Sequence, residues 1–155
     1  MTAPLGSLIG ADAVLFDLAV PTKAAMLAAM ATRAAALAGV DAAQATAVIL
    51  AREALGSTGF GAGTAIPHGR MPELSRIVIV AARLAAPIDF AALDALPVDL
   101  AVLMLAPTEA GAAHLKTLAQ VSRALRDAAL CSRLRGAASA VDFLMLLAGE
   151  RRAAA

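Results

Sequence analysis

The chain has 155 residues, a formal net charge of +1, 61% apolar residues and 3% aromatic residues. This length suits one domain with a buried core, and no uncharged apolar run reaches the roughly 20 residues that a membrane-spanning helix needs. Near-neutral charge and few rings argue against nucleic-acid binding. Cys131 has no second cysteine with which to form an internal disulfide, which is typical of cytosolic proteins. We therefore expect a single cytosolic domain over residues 1–155, without stable membrane insertion.

The first half of the chain predicts a lead-in, a strand and two helices. Residues 1–12 are expected to be a short lead-in, and alternating apolar residues predict a strand over 14–18. An alanine-rich helix is predicted over 22–39, because a threonine can begin it and a glycine is a natural residue to follow its end. A second helix is predicted over 41–56, with Asp41 as its N-cap.

The second half predicts two buried strands followed by helices. The β-branched and apolar segment 77–83 predicts the first of these strands. Apolar spacing typical of one helix face follows Glu109 and continues to Leu125. Strands interleaved with helices predict a layered α/β domain. The other predicted segments are a short extended piece at 64–66, a connection at 87–95, a strand at 97–106, a short helix at 130–134 and a last helix at 139–147.

The glycine-rich segment 56–70 is the most informative part of the sequence. It ends in Ile66-Pro67-His68-Gly69, so one of only two histidines follows a proline directly. Consecutive N–H groups in glycine-rich loops can form anion-binding concavities, and proline stiffens the backbone before the histidine. A neutral imidazole is a good nucleophile toward phosphorus, so His68 is a candidate phosphoryl acceptor; a turn histidine without function is about as probable from this segment alone.

Four nearby or paired residues could serve the same chemistry. His114 could donate to phosphoryl oxygens or orient His68, although by itself it would be a partly buried helix histidine. Arg52 could bind phosphate in a bidentate manner, or simply be a cation at a helix end. Ser57 and Thr58 could donate hydroxyl hydrogen bonds to phosphate, or only stabilise the loop.

Other site classes lack their signatures. The glycine segment has no Gly-Lys-Ser/Thr ending of a P-loop, and Thr64 occupies the last glycine position of a dinucleotide fingerprint. Two histidines without neighbouring cysteines or acidic clusters make a poor zinc site. We therefore expect neither a metal ion nor a cofactor.

The chain resembles the mannitol/fructose-type enzyme IIA proteins of the bacterial phosphotransferase system, and within them most resembles the nitrogen-regulatory enzyme IIA. The resemblance extends from about residue 5 to residue 147. The motifs that carry it are Arg52-Glu53, Gly56-Ser57-Thr58-Gly59, Gly61, Gly63, Ala65-Ile66-Pro67-His68-Gly69, Pro87-Ile88-Asp89-Phe90, Pro97-Val98, Pro107, His114-Leu115 and Leu118-Ala119.

The resemblance implies a mixed β-sheet flanked by helices on both faces. It implies that His68 accepts a phosphoryl group on Nε2 from a small histidine phosphocarrier protein, in a phosphoenolpyruvate-dependent relay. His114 and Arg52 would stabilise the transferring group, and Ser57, Thr58 and the N–H group of Gly59 would bind its oxygens. The protein would be a cytosolic phosphotransferase component that regulates nitrogen-, potassium- or carbon-related target proteins according to its phosphorylation state.

Two alternatives stay open at this point. The chain could be a sugar-specific IIA subunit that passes phosphate to a membrane permease. It could also be a regulatory docking module that has lost phosphotransfer, although the presence of His68, His114 and Arg52 argues against that. We expect the described site residues to converge on one shallow, open surface, with the two histidine rings about 4–7 Å apart so that both can touch one anion.

Overall fold

A computed structural model describes residues 5–154, with side chains described for residues 5–149. Within this part, six strands form one sheet in the order β1-β5-β6-β3-β2, and β4 pairs with β6 beyond the end of β3. The strands are β1 (Val14–Leu18), β2 (Gly59–Gly61), β3 (Thr64–Ala65), β4 (His68–Met71), β5 (Val78–Ile88) and β6 (Val98–Pro107). The helices are α1 (Leu5–Leu8), α2 (Lys23–Ala38), α3 (Ala42–Leu55), α4 (Ala112–Arg126), α5 (Ala128–Arg135) and α6 (Ala140–Ala154).

The sheet is mixed, as expected. β5 pairs antiparallel with β6, whereas β1 pairs with β5, and β3 and β4 pair with β6, in parallel. Two apolar cores cover the two faces: one includes Met30 of α2 and Ile49 of α3, and the other includes Val121 of α4 and Phe143 of α6. The sheet therefore has helices on both faces.

The helix ends follow local sequence signals. Thr22 accepts a hydrogen bond from the Ala25 N–H group and begins α2, and Gly39 ends it with a left-handed φ of 73°. Asp41 accepts from the Gln44 N–H group and begins α3. Both helices lie where the sequence places them.

The ends of several strands differ from the predictions. β5 continues to Ile88, well beyond 83, because its pairing with β6 resumes after an irregularity and places Ile88 opposite Val98. The expected connection 87–95 is thus shorter. The lead-in 1–12 contains α1 and the start of a 3₁₀ turn at Ala11–Ala13, while residues 1–4 and 155 lie outside the described residues.

The glycine-rich segment folds into three short strands instead of one extended piece. β2 and β3 form an antiparallel hairpin, and β3 and β4 then pair in succession with β6. Pro67 lies between them, and its carbonyl oxygen accepts a hydrogen bond from the Met104 N–H group at 2.9 Å. This arrangement makes His68 the first residue of β4, at a fixed register opposite Met104.

Candidate functional site

Alternation along β4 decides which way His68 faces. Gly69 and Met71 are buried on the α3 side of the sheet, where Met71 joins the core formed with α2 and α3. A Cβ atom on Gly69 would lie 2.6 Å from Cγ1 of Val48 in α3, so only glycine fits there without a shift. Because successive side chains on a strand point to opposite faces, His68 and Arg70 lie on the other side, toward α4.

One hydrogen bond sets the protonation pattern of His68. Nδ1 lies 2.8 Å from the carbonyl oxygen of Ile66. A carbonyl oxygen can only accept, so Nδ1 carries the proton in this bond and Nε2 of the neutral ring keeps its lone pair. This carbonyl could not be identified from the sequence, because a backbone group has no side-chain signal of its own.

The second histidine lies beside the first. His114 is in the first turn of α4, and its ring centroid is 6.1 Å from that of His68, with the ring planes tilted by 58°. This separation falls in the 4–7 Å interval expected for two rings that share one anion. His114 is only 4% exposed, and among the described residues its Nδ1 atom has no hydrogen-bond partner.

His114 is held in its neutral form. Burial lowers the pKa of its imidazole, and the charges of Arg70 and His68 lower it further. Burial removes the water that would stabilise an imidazolium ion, and neighbouring positive charge repels it. A neutral ring can still donate one N–H hydrogen bond to an incoming anion.

The other predicted site residues bind parts of the protein itself. Nη1 of Arg52 donates to the carbonyl oxygen of Gly56 at 3.0 Å. The Ser57 hydroxyl donates to the Phe90 carbonyl oxygen at 3.2 Å and accepts from the Gly59 N–H group at 3.1 Å. None of the contacts described for Arg52, Ser57 or Gly59 joins them to either histidine, so their roles toward phosphate stay predictions.

Thr58 is tied to a buried carboxylate. Its N–H group and its hydroxyl both donate to Glu53, at 2.8 and 2.5 Å. The remaining partner of that carboxylate is Lys23, whose Nζ lies 2.9 Å from Oε2 and also donates to the Phe90 carbonyl oxygen. The cation that pairs with Glu53 is therefore a lysine of α2. We call Lys23, Glu53, Thr58 and Phe90 the loop anchor.

The glycines of the hairpin serve close packing and a tight turn. A Cβ atom on Gly59 would lie 2.8 Å from Cβ of Ala92. Gly61, Ala62 and Gly63 all have positive φ, and the Ala62 N–H group donates to Asp94 at 2.9 Å. That N–H bond helps to lower the pKa of the Asp94 carboxyl. These glycines thus allow the chain to approach its own backbone and side chains.

Within residues 5–149, no group of three histidine, cysteine or acidic side chains is placed to hold a metal ion. Among the described helices, none combines the length and the apolar character needed to cross a membrane.

Comparison with known proteins identifies the family. Residues 7–149 match the family described as "Phosphoenolpyruvate-dependent sugar phosphotransferase system, EIIA 2". The chain belongs to this enzyme IIA family. The match spans the hairpin, both histidines and all strands of the described residues, so the resemblance drawn from the sequence motifs is confirmed.

The relatives include nitrogen-regulatory members of the enzyme IIA family. The chain is 43% identical to a nitrogen regulatory protein from Bradyrhizobium diazoefficiens over 145 residues, which are 94% of this chain and 95% of that one. It is 40% identical to the Escherichia coli nitrogen regulatory protein over 100 residues, 64% of this chain and 61% of the relative. The resemblance to the nitrogen-regulatory type is therefore confirmed as well.

Solved structures confirm the fold. The crystal structure of nitrogen regulatory protein IIA-Ntr from Neisseria meningitidis superposes with a TM-score of 0.87 at 27% identity, over 92% of this chain and 97% of that one. Mannitol IIA from Escherichia coli superposes with a TM-score of 0.76 at 22% identity, over 90% of this chain and 99% of the other, which is a likeness of fold.

Proposed function

We propose that the protein is a cytosolic histidine phosphocarrier in which His68 accepts a phosphoryl group from a phosphohistidine on a small carrier protein. The observation that carries this proposal is the pairing of an imidazole whose Nε2 lone pair is free to attack with a second, buried and neutral imidazole 6.1 Å away. The family of phosphoenolpyruvate-dependent phosphotransferase components supports the donor class.

The transfer needs no metal and no net proton exchange. Nε2 of His68 attacks the phosphorus atom in line, and the P–N bond of the donor breaks as the new P–N bond forms. The electron pair of the broken bond returns to the donor nitrogen. A donor ring protonated on its other nitrogen leaves as neutral imidazole, while His68 keeps the Nδ1 proton bonded to Ile66.

His114 would stabilise the charge during transfer. Phosphoryl transfer depends on positioning and on compensation of the charge spread over three equatorial oxygens. An N–H donor already fixed by burial need not reorganise when the charge develops. Because the His114 ring is neutral, it can offer one N–H hydrogen bond to the phosphoryl oxygens without gaining or losing a proton.

The nitrogen-regulatory relatives support a regulatory role. We propose that the phosphorylated and unphosphorylated forms bind nitrogen-, potassium- or carbon-related target proteins with different affinity. A phosphohistidine places negative charge beside His114 and Arg70, which changes the surface that a target would meet.

A sugar-specific role is the second candidate, and a mannitol/fructose-type fold favours it. One solved neighbour is a complex of mannitol IIA with phosphorylated mannitol IIB from Escherichia coli, at 21% identity and a TM-score of 0.77. Here the phosphate would pass from His68 to a permease subunit and then to a sugar. A docking module without phosphotransfer is the remaining alternative.

The deciding experiment incubates the protein with phosphoenolpyruvate, the first enzyme of the relay and its small carrier. We expect one acid-labile phosphate, which tandem mass spectrometry locates on His68. Phosphate on no residue would support the docking module, and phosphate on His114 would reverse the roles of the two rings. Addition of membranes with a fructose- or mannitol-type permease then separates the two carriers, since only a sugar-specific subunit yields sugar phosphate.

A further inference from the structure

Arg70 follows His68 by two residues and has no role in the transfer step described above. It is exposed, and no hydrogen bond or ion pair joins it to any described residue. Five of the other arginines do bind within the protein: Arg33, Arg52, Arg76, Arg83 and Arg135 each donate to a carbonyl oxygen or a carboxylate. A guanidinium group near the site is therefore left available for an external anion.

The strand geometry brings Arg70 to the same face as His68. The two residues are i and i+2 on β4, so their side chains leave the sheet on the same side, about 7 Å apart along the strand. The register fixes this relation, because His68 pairs with Met104 and Arg70 with Ala106 on β6. Gly69 packs against Val48 on the opposite face, so the strand cannot rotate to exchange its two faces.

The positive charge of Arg70 acts on His114. Among the causes that lower the pKa of His114, the Arg70 charge follows burial and precedes the charge of His68. The guanidinium charge thus acts on His114, the ring that lies beside the proposed acceptor. Arg52, which the sequence also predicts at the site, donates to the Gly56 carbonyl oxygen at 3.0 Å.

We propose that Arg70 is a phosphate-binding residue of the site, whose guanidinium group contacts the phosphoryl oxygens as the group moves onto Nε2 of His68 and afterwards holds them. This rests on the proposed phosphocarrier function and adds a full positive charge to the neutral donor supplied by His114. A guanidinium group suits the task, because its planar fork binds two oxygens at once.

The first test measures anion binding and needs no relay protein. Histidine ring signals of the unphosphorylated protein are followed by NMR during titration with inorganic phosphate and during a pH titration. In Arg70→Gln we expect weaker phosphate-induced shifts and a higher pKa of His114, because a neighbouring cation has been removed. Arg123→Gln, which removes an exposed arginine on the surface of α4, is the matched control and should behave as wild type.

The second test measures transfer from the phosphorylated carrier by rapid quenching and intact-mass analysis. We expect Arg70→Gln to slow transfer about 10- to 100-fold, less than the 10²- to 10³-fold typical of a buried donor, since Arg70 is exposed. Arg70→Lys should recover part of the rate, because it keeps the charge but not the fork. A wild-type rate in Arg70→Gln would overturn the proposal.

The two tests separate the two proposals. If the wild-type protein accepts no phosphate from the carrier, the phosphocarrier function fails while the NMR titration still decides whether Arg70 binds an anion at the histidines. Identical phosphate and pH titrations in Arg70→Gln and wild type would overturn the Arg70 proposal whatever the relay shows.

Discussion

The glycine-rich hairpin and the histidine pair use their polar groups in opposite ways. In the hairpin, Ser57 and Thr58 are bonded to Phe90 and Glu53 of the same protein. In the pair, Nε2 of His68 keeps a lone pair and Nδ1 of His114 has no partner among the described residues. A polar group already bonded internally stabilises the fold, whereas an available one can meet a ligand. The polar side chains of the glycine-rich hairpin thus mainly stabilise the fold.

The largest effect should come from His68→Ala. We expect complete loss of phosphate acceptance in the relay, with a melting temperature close to that of wild type, because His68 is half-buried and belongs to neither apolar core. Intact-mass measurement and thermal unfolding check the two parts. A singly phosphorylated His68→Ala protein would contradict the assignment of the acceptor.

His114→Ala should slow transfer and leave some acceptance. Removal of one preorganised donor typically reduces the rate about 10²- to 10³-fold. The measurement is the rate of phosphorylation by the phosphorylated carrier under single-turnover conditions. A wild-type rate would make His114 a bystander, and the contrast with the hairpin would then rest on His68 alone.

Glu53→Ala tests the hairpin side of the comparison. The substitution removes the carboxylate that Lys23 and both Thr58 donors of the loop anchor bind. Because the Lys23 side chain is 25% exposed, we expect a loss of about 2–3 kcal/mol in the free energy of unfolding, below the 3–5 kcal/mol typical of a fully buried pair. Urea unfolding measures it.

The matched control for that experiment is Glu73→Ala. Glu73 is exposed, and no described residue forms a hydrogen bond or ion pair with it. Its removal should change the free energy of unfolding by less than about 0.5 kcal/mol. Equal effects of the two substitutions would show that the loop anchor contributes no more than an ordinary surface carboxylate.

The smallest expected effect is a dependence of stability on pH. Folding lowers the pKa of His114, so the unfolded chain binds a proton near pH 6.5 that the folded protein does not yet bind. Stability is full above that pH and falls as the pH drops toward the folded pKa, by less than about 1.4 kcal/mol per pH unit. Urea unfolding from pH 7.5 to 5.5 should show a weaker slope in His114→Gln. An unchanged slope would assign the dependence to other groups.

Much of the fold could be predicted because its signals are local. The N-caps at Thr22 and Asp41 and the left-handed Gly39 are each determined by a few neighbouring residues, and both helices form as predicted. The apolar strands β5 and β6 are long enough to show their pattern. By contrast, β2 and β3 have three and two residues, and β3 is paired with a strand more than 30 positions later in the chain. Such pairing leaves no periodic trace in the sequence.

The candidate site was also predictable only in part. The Pro-His-Gly step and the helical position of His114 allowed both histidines to be recognised as candidate site residues from the sequence. The distance between their rings depends on how α4 packs against the sheet. Their proximity was therefore predicted from the order of the motifs and from the family resemblance. The Lys23 bond to Glu53 links α2 with α3, and the Ile66 bond to His68 involves a backbone carbonyl. Neither can be derived from residue types.

The contact between Gly69 and Val48 has a consequence for signalling. With no room even for a methyl group at position 69, the strand that carries His68 is pressed against α3 and has little freedom to shift. Phosphorylation of His68 brings the negative charge of the phosphoryl oxygens onto a strand that is held in this way. We therefore expect the phosphorylated and unphosphorylated forms to have backbones that superpose. A target protein would then distinguish the two forms by the electrostatic potential of their surfaces.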